Sequence, residues 1–175
     1  MTVRTRRAYF DCQFGQLHVR TAFPTTGGFD EQAALFCLHA MDASGRTFSR
    51  LLAEIADVRS AYAPDLPGFG ESDPSPARSV IEAAAAVADL AKDLRLRQID
   101  LLGIQYGAAV ALELAVSRPE LVRRLVLAEV ANLDRVAALR QPHLILDVAH
   151  DPEDQFQVAP QALAQRIGAF LSGRH

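Results

Sequence analysis

The chain has 175 residues, half of them hydrophobic, with a formal net charge of −3 and an isoelectric point near 5.9. That length buries one sizeable core, so one domain spanning residues 1–175 is expected. The acidic balance offers no basic footprint for nucleic acid or an anionic membrane, which leaves small molecules or proteins as partners. Cys12 and Cys37 are too few for a disulfide framework, and no stretch approaches the length of a membrane-spanning helix. The segment from Met1 to Arg7 carries arginines without the apolar run of a signal peptide, so a cytoplasmic location is expected.

Residues Ala8 to Phe14 and Gln16 to Phe23 alternate around Gly15, which predicts an antiparallel hairpin. Thr25-Thr26-Gly27-Gly28 then turns the chain. Short runs rich in Leu, Val and Ile predict parallel-type strands at Ala34 to His39, Arg59 to Ala63, Ile99 to Ile104, Val122 to Ala128 and His143 to Val148. Helices are predicted at Arg46 to Ala56, at Ser79 to Leu94 and at Tyr106 to Ser117, the last ending before Pro119. In the second of these, Ile81, Val87, Leu90 and Leu94 supply an apolar stripe. Between Glu129 and Leu144 there is room for one short helix, and an amphipathic helix is predicted at Pro160 to Leu171. Alternating strands and helices imply right-handed crossovers. The expected fold is α/β: a doubly wound, mostly parallel sheet of about seven strands, opened by an antiparallel hairpin, with helices on both faces.

Within this pattern, Ile99-Asp100-Leu101-Leu102-Gly103-Ile104-Gln105-Tyr106-Gly107 has the form of a strand-to-helix elbow, Gly-x-Ser-x-Gly, with glutamine at the serine position. An amide has no ionisable group and cannot form the acyl-enzyme that an activated serine forms. Three further segments fall in a consistent order: Ala34-Leu35-Phe36-Cys37-Leu38-His39-Ala40 followed by Ser44-Gly45-Arg46-Thr47-Phe48; Tyr62-Ala63-Pro64-Asp65-Leu66-Pro67-Gly68-Phe69-Gly70-Glu71-Ser72-Asp73; and Gln141-Pro142-His143-Leu144-Ile145-Leu146 followed by His150-Asp151-Pro152.

On these four segments the chain resembles the α/β-hydrolase family, as a truncated member without a helical cap. The resemblance makes His39-Ala40 the oxyanion loop, with Ala40 where glycine is usual, and makes Gln105 the degenerate nucleophile position. It implies Asp151 as the triad's acid. A second alignment makes His150 the catalytic histidine, with Pro160 to Leu171 as the helix that follows it. Oxyanion donors implied by the resemblance are the backbone N–H groups of Tyr106 and of Ala40 or Met41, so a small carbonyl or anionic ligand could dock above Gln105.

The leading expectation is a non-catalytic relative with a binding, assembly or regulatory role. The alternative is a hydrolase of small esters or related carbonyl compounds, using Ser44, Cys37 or Ser72 as a relocated nucleophile, or water activated by His39 or His150. Plainer roles stand beside these. Gly103 and Gly107 suit any tight junction, His39 can orient backbone, and Asp65, Ser72 and Asp73 can brace a turn-rich loop. The resemblance places Glu129 where some members of the family put the acid after the sixth strand, and its plainer reading is a solvated strand-end carboxylate. No cofactor and no metal is implied. Loss of a final strand would expose a sheet edge, from which a homodimer is expected.

Overall fold

The computed structural model describes residues 4–24, 32–75, 79–146 and 160–173. Its strands are β1 (Arg4–Cys12), β2 (Gly15–Phe23), β3 (Ala34–Leu38), β4 (Ala61–Pro64), β5 (Ile99–Ile104), β6 (Val122–Ala128) and β7 (His143–Leu146). They form one sheet in the order β1-β2-β4-β3-β5-β6-β7, antiparallel from β1 through β2 to β4 and parallel elsewhere. Among the described residues five helices accompany them: α1 (Ser49–Ile55), α2 (Val80–Asp93), α3 (Tyr106–Ser117), α4 (Leu133–Ala137) and α5 (Pro160–Leu171).

Side-chain alternation along each strand divides the core between the two faces. Phe36, Leu38, Leu101, Leu125 and Leu127 pack beneath α2 and α3. Leu35, Cys37, Leu102, Ile104 and Val126 pack beneath α1 and α5. Every position of β3 and β5 is therefore buried, as expected of central parallel strands covered on both sides. The helix starts follow their side chains. Ser79 accepts a hydrogen bond from the Glu82 N–H and caps α2, with Glu82 in the favourable first turn.

The structure moves several predicted boundaries. The hairpin turns at Gln13-Phe14, because Cys12 pairs with Gly15; Gly15 is the first residue of β2 rather than the pivot, and β1 reaches back to Arg4. Its φ of 115° suits only glycine. Arg59 lies before β4 rather than opening it, since its guanidinium turns inward to the Asp100 carboxylate at 2.7 Å. The predicted Arg46–Ala56 helix divides into a 3-10 turn over Gly45–Phe48 and α1. Ile81 is exposed, so the buried stripe of α2 is carried by Val87, Leu90 and its alanines. β7 is described to Leu146, and residues 147–148 of its predicted extent lie outside the described residues. Among the described residues no helix is long and apolar enough to cross a membrane.

Candidate ligand site at the strand-to-helix elbow

β5 passes to α3 through Gln105, whose backbone sits at φ 49° and ψ −108°. Positive φ is strained for a residue bearing a side chain, and it holds the exposed Gln105 at the top of the turn. The flanking glycines permit the close packing that this turn needs. A Cβ on Gly103 would lie 2.5 Å from the Gly107 carbonyl oxygen, and one on Gly107 would lie 2.1 Å from the Leu38 carbonyl oxygen. Absence of both side chains lets the start of α3 rest against the end of β3, which sets the 39–41 loop beside Tyr106.

The parallel register pairs Ile104 with Ala128, so Gln105 and Glu129 leave the sheet side by side. Glu129 also has a positive φ, 50°. Its Oε2 accepts a hydrogen bond of 2.5 Å from Gln105 Nε2. The carboxylate read from the sequence as merely solvated is thus the partner of the elbow side chain. No local pattern connects positions 24 residues apart; only the register of two neighbouring strands brings them together.

His39 is buried at the end of β3. Its Nε2 accepts the Leu66 N–H at 2.9 Å, which places the proton on Nδ1, and Nδ1 donates to the Ala40 carbonyl at 2.8 Å. Burial lowers the His39 pKa from its ordinary value, opposed by the bond to the Ala40 carbonyl and by the Asp65 charge. With both ring nitrogens engaged, the neutral imidazole ties the 39–41 loop to the 65–70 loop. Phe69 meets His39 edge-on at 5.3 Å and Tyr106 at 5.7 Å, forming an aromatic floor under the elbow. Ala40 is buried, whereas Met41 is exposed.

Asp65 anchors the second loop. Its buried carboxylate accepts the N–H groups of Gly45 at 2.7 Å and Glu71 at 2.8 Å, and lies 3.0 Å from His18 Nδ1. Ser72 Oγ donates to the Asp65 carbonyl at 2.6 Å and accepts the His18 N–H at 2.9 Å, while Asp73 accepts the Gln16 N–H at 2.9 Å. These contacts also bear on relocated chemistry. Ser72 is committed to loop bracing, and Ser44 Oγ accepts the Arg46 N–H at 3.3 Å. Burial pushes the Cys37 thiol well up, away from the nucleophilic thiolate. Asp151 and His150 lie outside the described residues. Among the described residues no group of three or more His, Cys, Asp or Glu could hold a metal ion.

Residues 35–173 match the family described as the alpha/beta hydrolase family. The chain belongs to the α/β-hydrolase family. An uncharacterized protein of Mycobacterium tuberculosis (strain ATCC 25618 / H37Rv) is 30% identical over 125 residues, covering 70% of this chain and 36% of the relative. The 2-hydroxymuconate semialdehyde hydrolase of Pseudomonas sp. (strain CF600) is 43% identical over 82 residues, covering 44% of this chain and 28% of that enzyme. Among solved structures, epoxide hydrolase CorEH shares the fold with a TM-score of 0.65 at 22% identity, covering 71% of this chain and 42% of that one. N-acyl homoserine lactonase AidH matches with a TM-score of 0.62 at 25% identity, covering 71% of this chain and 44% of that one. This α/β-hydrolase-family chain therefore spans about a third of the length of the curated relatives it matches.

Proposed function

We propose that the elbow of this α/β-hydrolase-family protein holds a small neutral carbonyl compound, such as an ester or lactone, without serine-dependent turnover. The observation that carries this reading is Gln105 at the strained elbow position, tied through its amide to Glu129. An amide can donate to and accept from a ligand, but it cannot supply the attacking oxygen of acyl transfer. Tyr106 opens α3, so its N–H belongs to the first turn of the helix, where the dipole favours a carbonyl oxygen. The Glu129 carboxylate beside Gln105 disfavours an anionic ligand and selects a neutral one. The relatives named as semialdehyde hydrolase and homoserine lactonase act on or bind compounds with carbonyl groups, which supports the same class.

The test follows p-nitrophenyl butyrate by two readouts: p-nitrophenolate release, and amide NMR shifts of Met41, Tyr106 and Gly107. Expected are saturable shifts with release no faster than buffer. Release of p-nitrophenolate faster than buffer by the natural protein would overturn the reading, because the site would then turn its ligand over. A Gln105→Ser variant that gains esterase activity would show that Gln105 alone keeps the site silent.

A further inference from the structure

A separate cluster, sharing no residue with the elbow, lies where the β1–β2 hairpin meets the 3-10 turn and α1. Arg7 and Arg20 are cross-strand partners, so their side chains leave the same face of the hairpin. Like charges set directly opposite each other are unfavourable. Arg46 of the 3-10 turn joins them. All three guanidinium groups converge on one carboxylate oxygen, Glu71 Oε1, at 4.0 Å from Arg7, 3.9 Å from Arg20 and 3.9 Å from Arg46. Those separations exceed hydrogen-bond length, so one negative charge is shared by three positive ones and accepts a hydrogen bond from none of the three.

The hairpin side of this cluster forms a cavity of about 190 Å³ lined by Thr5, Arg6, Arg7, Arg20, Ser49 and Leu52. Of the three arginines around Glu71, Arg20 is the most enclosed, with a side chain 19% exposed against 64% for Arg7, which also lines the cavity, and 72% for Arg46, which stands outside its lining. The Arg20 Nε is shielded from solvent and has no hydrogen-bond partner. A buried guanidinium N–H without an acceptor costs free energy unless something fills it. In a chain with net charge −3, this local excess of positive charge stands against the average.

We propose that this cavity binds a dianionic phosphoryl group, either free phosphate or the head of a small phosphate monoester. The planar guanidinium fork matches phosphate oxygens in pairs, and two or more such forks around one small cavity favour a doubly charged tetrahedral anion over a carboxylate. Arg20 supplies the enclosed anchor, and Arg7 and Arg46 close on the outer oxygens. Thr5 and Ser49 complete the wall, and the Ser49 hydroxyl donates to the Arg46 carbonyl at 2.8 Å, which ties the 3-10 turn to the start of α1 beside the cavity. Glu71 is the competing anion. Its backbone is fixed by the bond from its N–H to Asp65, so its side chain swings out when phosphate enters. The cavity is smaller than those that enclose drug-sized ligands, which limits the occupant to the phosphoryl group and a few attached atoms.

Isothermal titration with inorganic phosphate and with phenyl phosphate, at constant ionic strength, tests this. Saturable binding is expected. Arg20→Gln should weaken it by about tenfold, the loss of one charge-assisted pair, and Arg46→Gln should weaken it less. Glu71→Gln should tighten it by removing the competitor. Tighter binding of phenyl phosphate assigns a monoester, and equal binding assigns the free ion. The proposal fails if neither anion binds below about 10 mM, a threshold near the weakest specific affinities. It fails equally if folded Arg46→Gln and Arg7→Gln variants bind as the natural protein does, or if Glu71→Gln weakens binding.

Discussion

His39 shows how one residue's protonation state follows from its partners. A ring that accepts one backbone N–H and donates to one backbone carbonyl must be neutral, and burial lowers its pKa in agreement. The folded state therefore binds a proton less readily than the unfolded chain, whose histidine titrates near 6.5. The stabilising contribution is complete above that value and is lost as pH falls through the unfolded and then the folded pKa. Urea unfolding followed from pH 8 to pH 5 should show stability declining on the acid side, and a His39→Gln variant should show a shallower decline. An unchanged slope in the variant would assign the acid sensitivity elsewhere. At this scale the sequence was informative where neighbours frame a residue. Gln105 is legible because Gly103 and Gly107 bracket it. Glu129 is not, since its partner is chosen by strand register, and neither is the Arg7–Arg20–Arg46 cluster, whose members come from two strands and a turn.

Among elements, the buried charges do what apolar patterning could not announce. Asp100 is fully buried within β5, yet it accepts from Arg59 at 2.7 Å and from Arg123 Nε at 2.9 Å. Arg123 and the neighbouring Arg124 in turn donate to the Leu171 carbonyl, and Arg124 also to that of Phe170, at the C-terminal end of α5, where positive charge complements the helix dipole. One carboxylate thus joins the segment before β4, β5, β6 and the last described helix. Asp100→Ala should cost about 3–5 kcal/mol, because it leaves two arginines without their shared partner, one of them fully enclosed. Urea unfolding checks the loss, and faster hydrogen exchange across α5 should accompany it. A cost below about 1 kcal/mol would show that water reaches the arginines and that the pair is only a surface contact. The prediction of a strand from Arg59 failed for this reason: Arg59 leaves the strand to reach the buried Asp100. By contrast β5, β6, α3 and α5 lie where apolar period, flanking glycines and proline placed them, because their boundaries are fixed by local chemistry.

For the whole molecule, alternating strand and helix patterns sufficed for a doubly wound sheet, while its edges depend on what each outer strand meets. Among the described residues β7 has a strand partner on one side only, β6. Leu144 packs toward α1 and α5, but Ile145, on the opposite face, is 43% exposed. β7 places no charge along His143–Leu146 other than what His143 can carry, and its proline, Pro142, precedes the strand, so the usual guards against edge pairing are weak. We propose that two copies meet along this edge, with the β7 backbones paired and the two Ile145 side chains covering one another. Light scattering after size exclusion should then give about twice the chain mass of 19.0 kDa at high concentration, falling toward that mass on dilution. Ile145→Lys places a charge at the centre of the edge and should leave the chain folded and monomeric. A mass of 19.0 kDa for the natural protein at every concentration would rule the pairing out. Four residues of strand supply few hydrogen bonds, so the expected association is weak and reversible, set by the apolar area around Ile145 more than by the ladder itself.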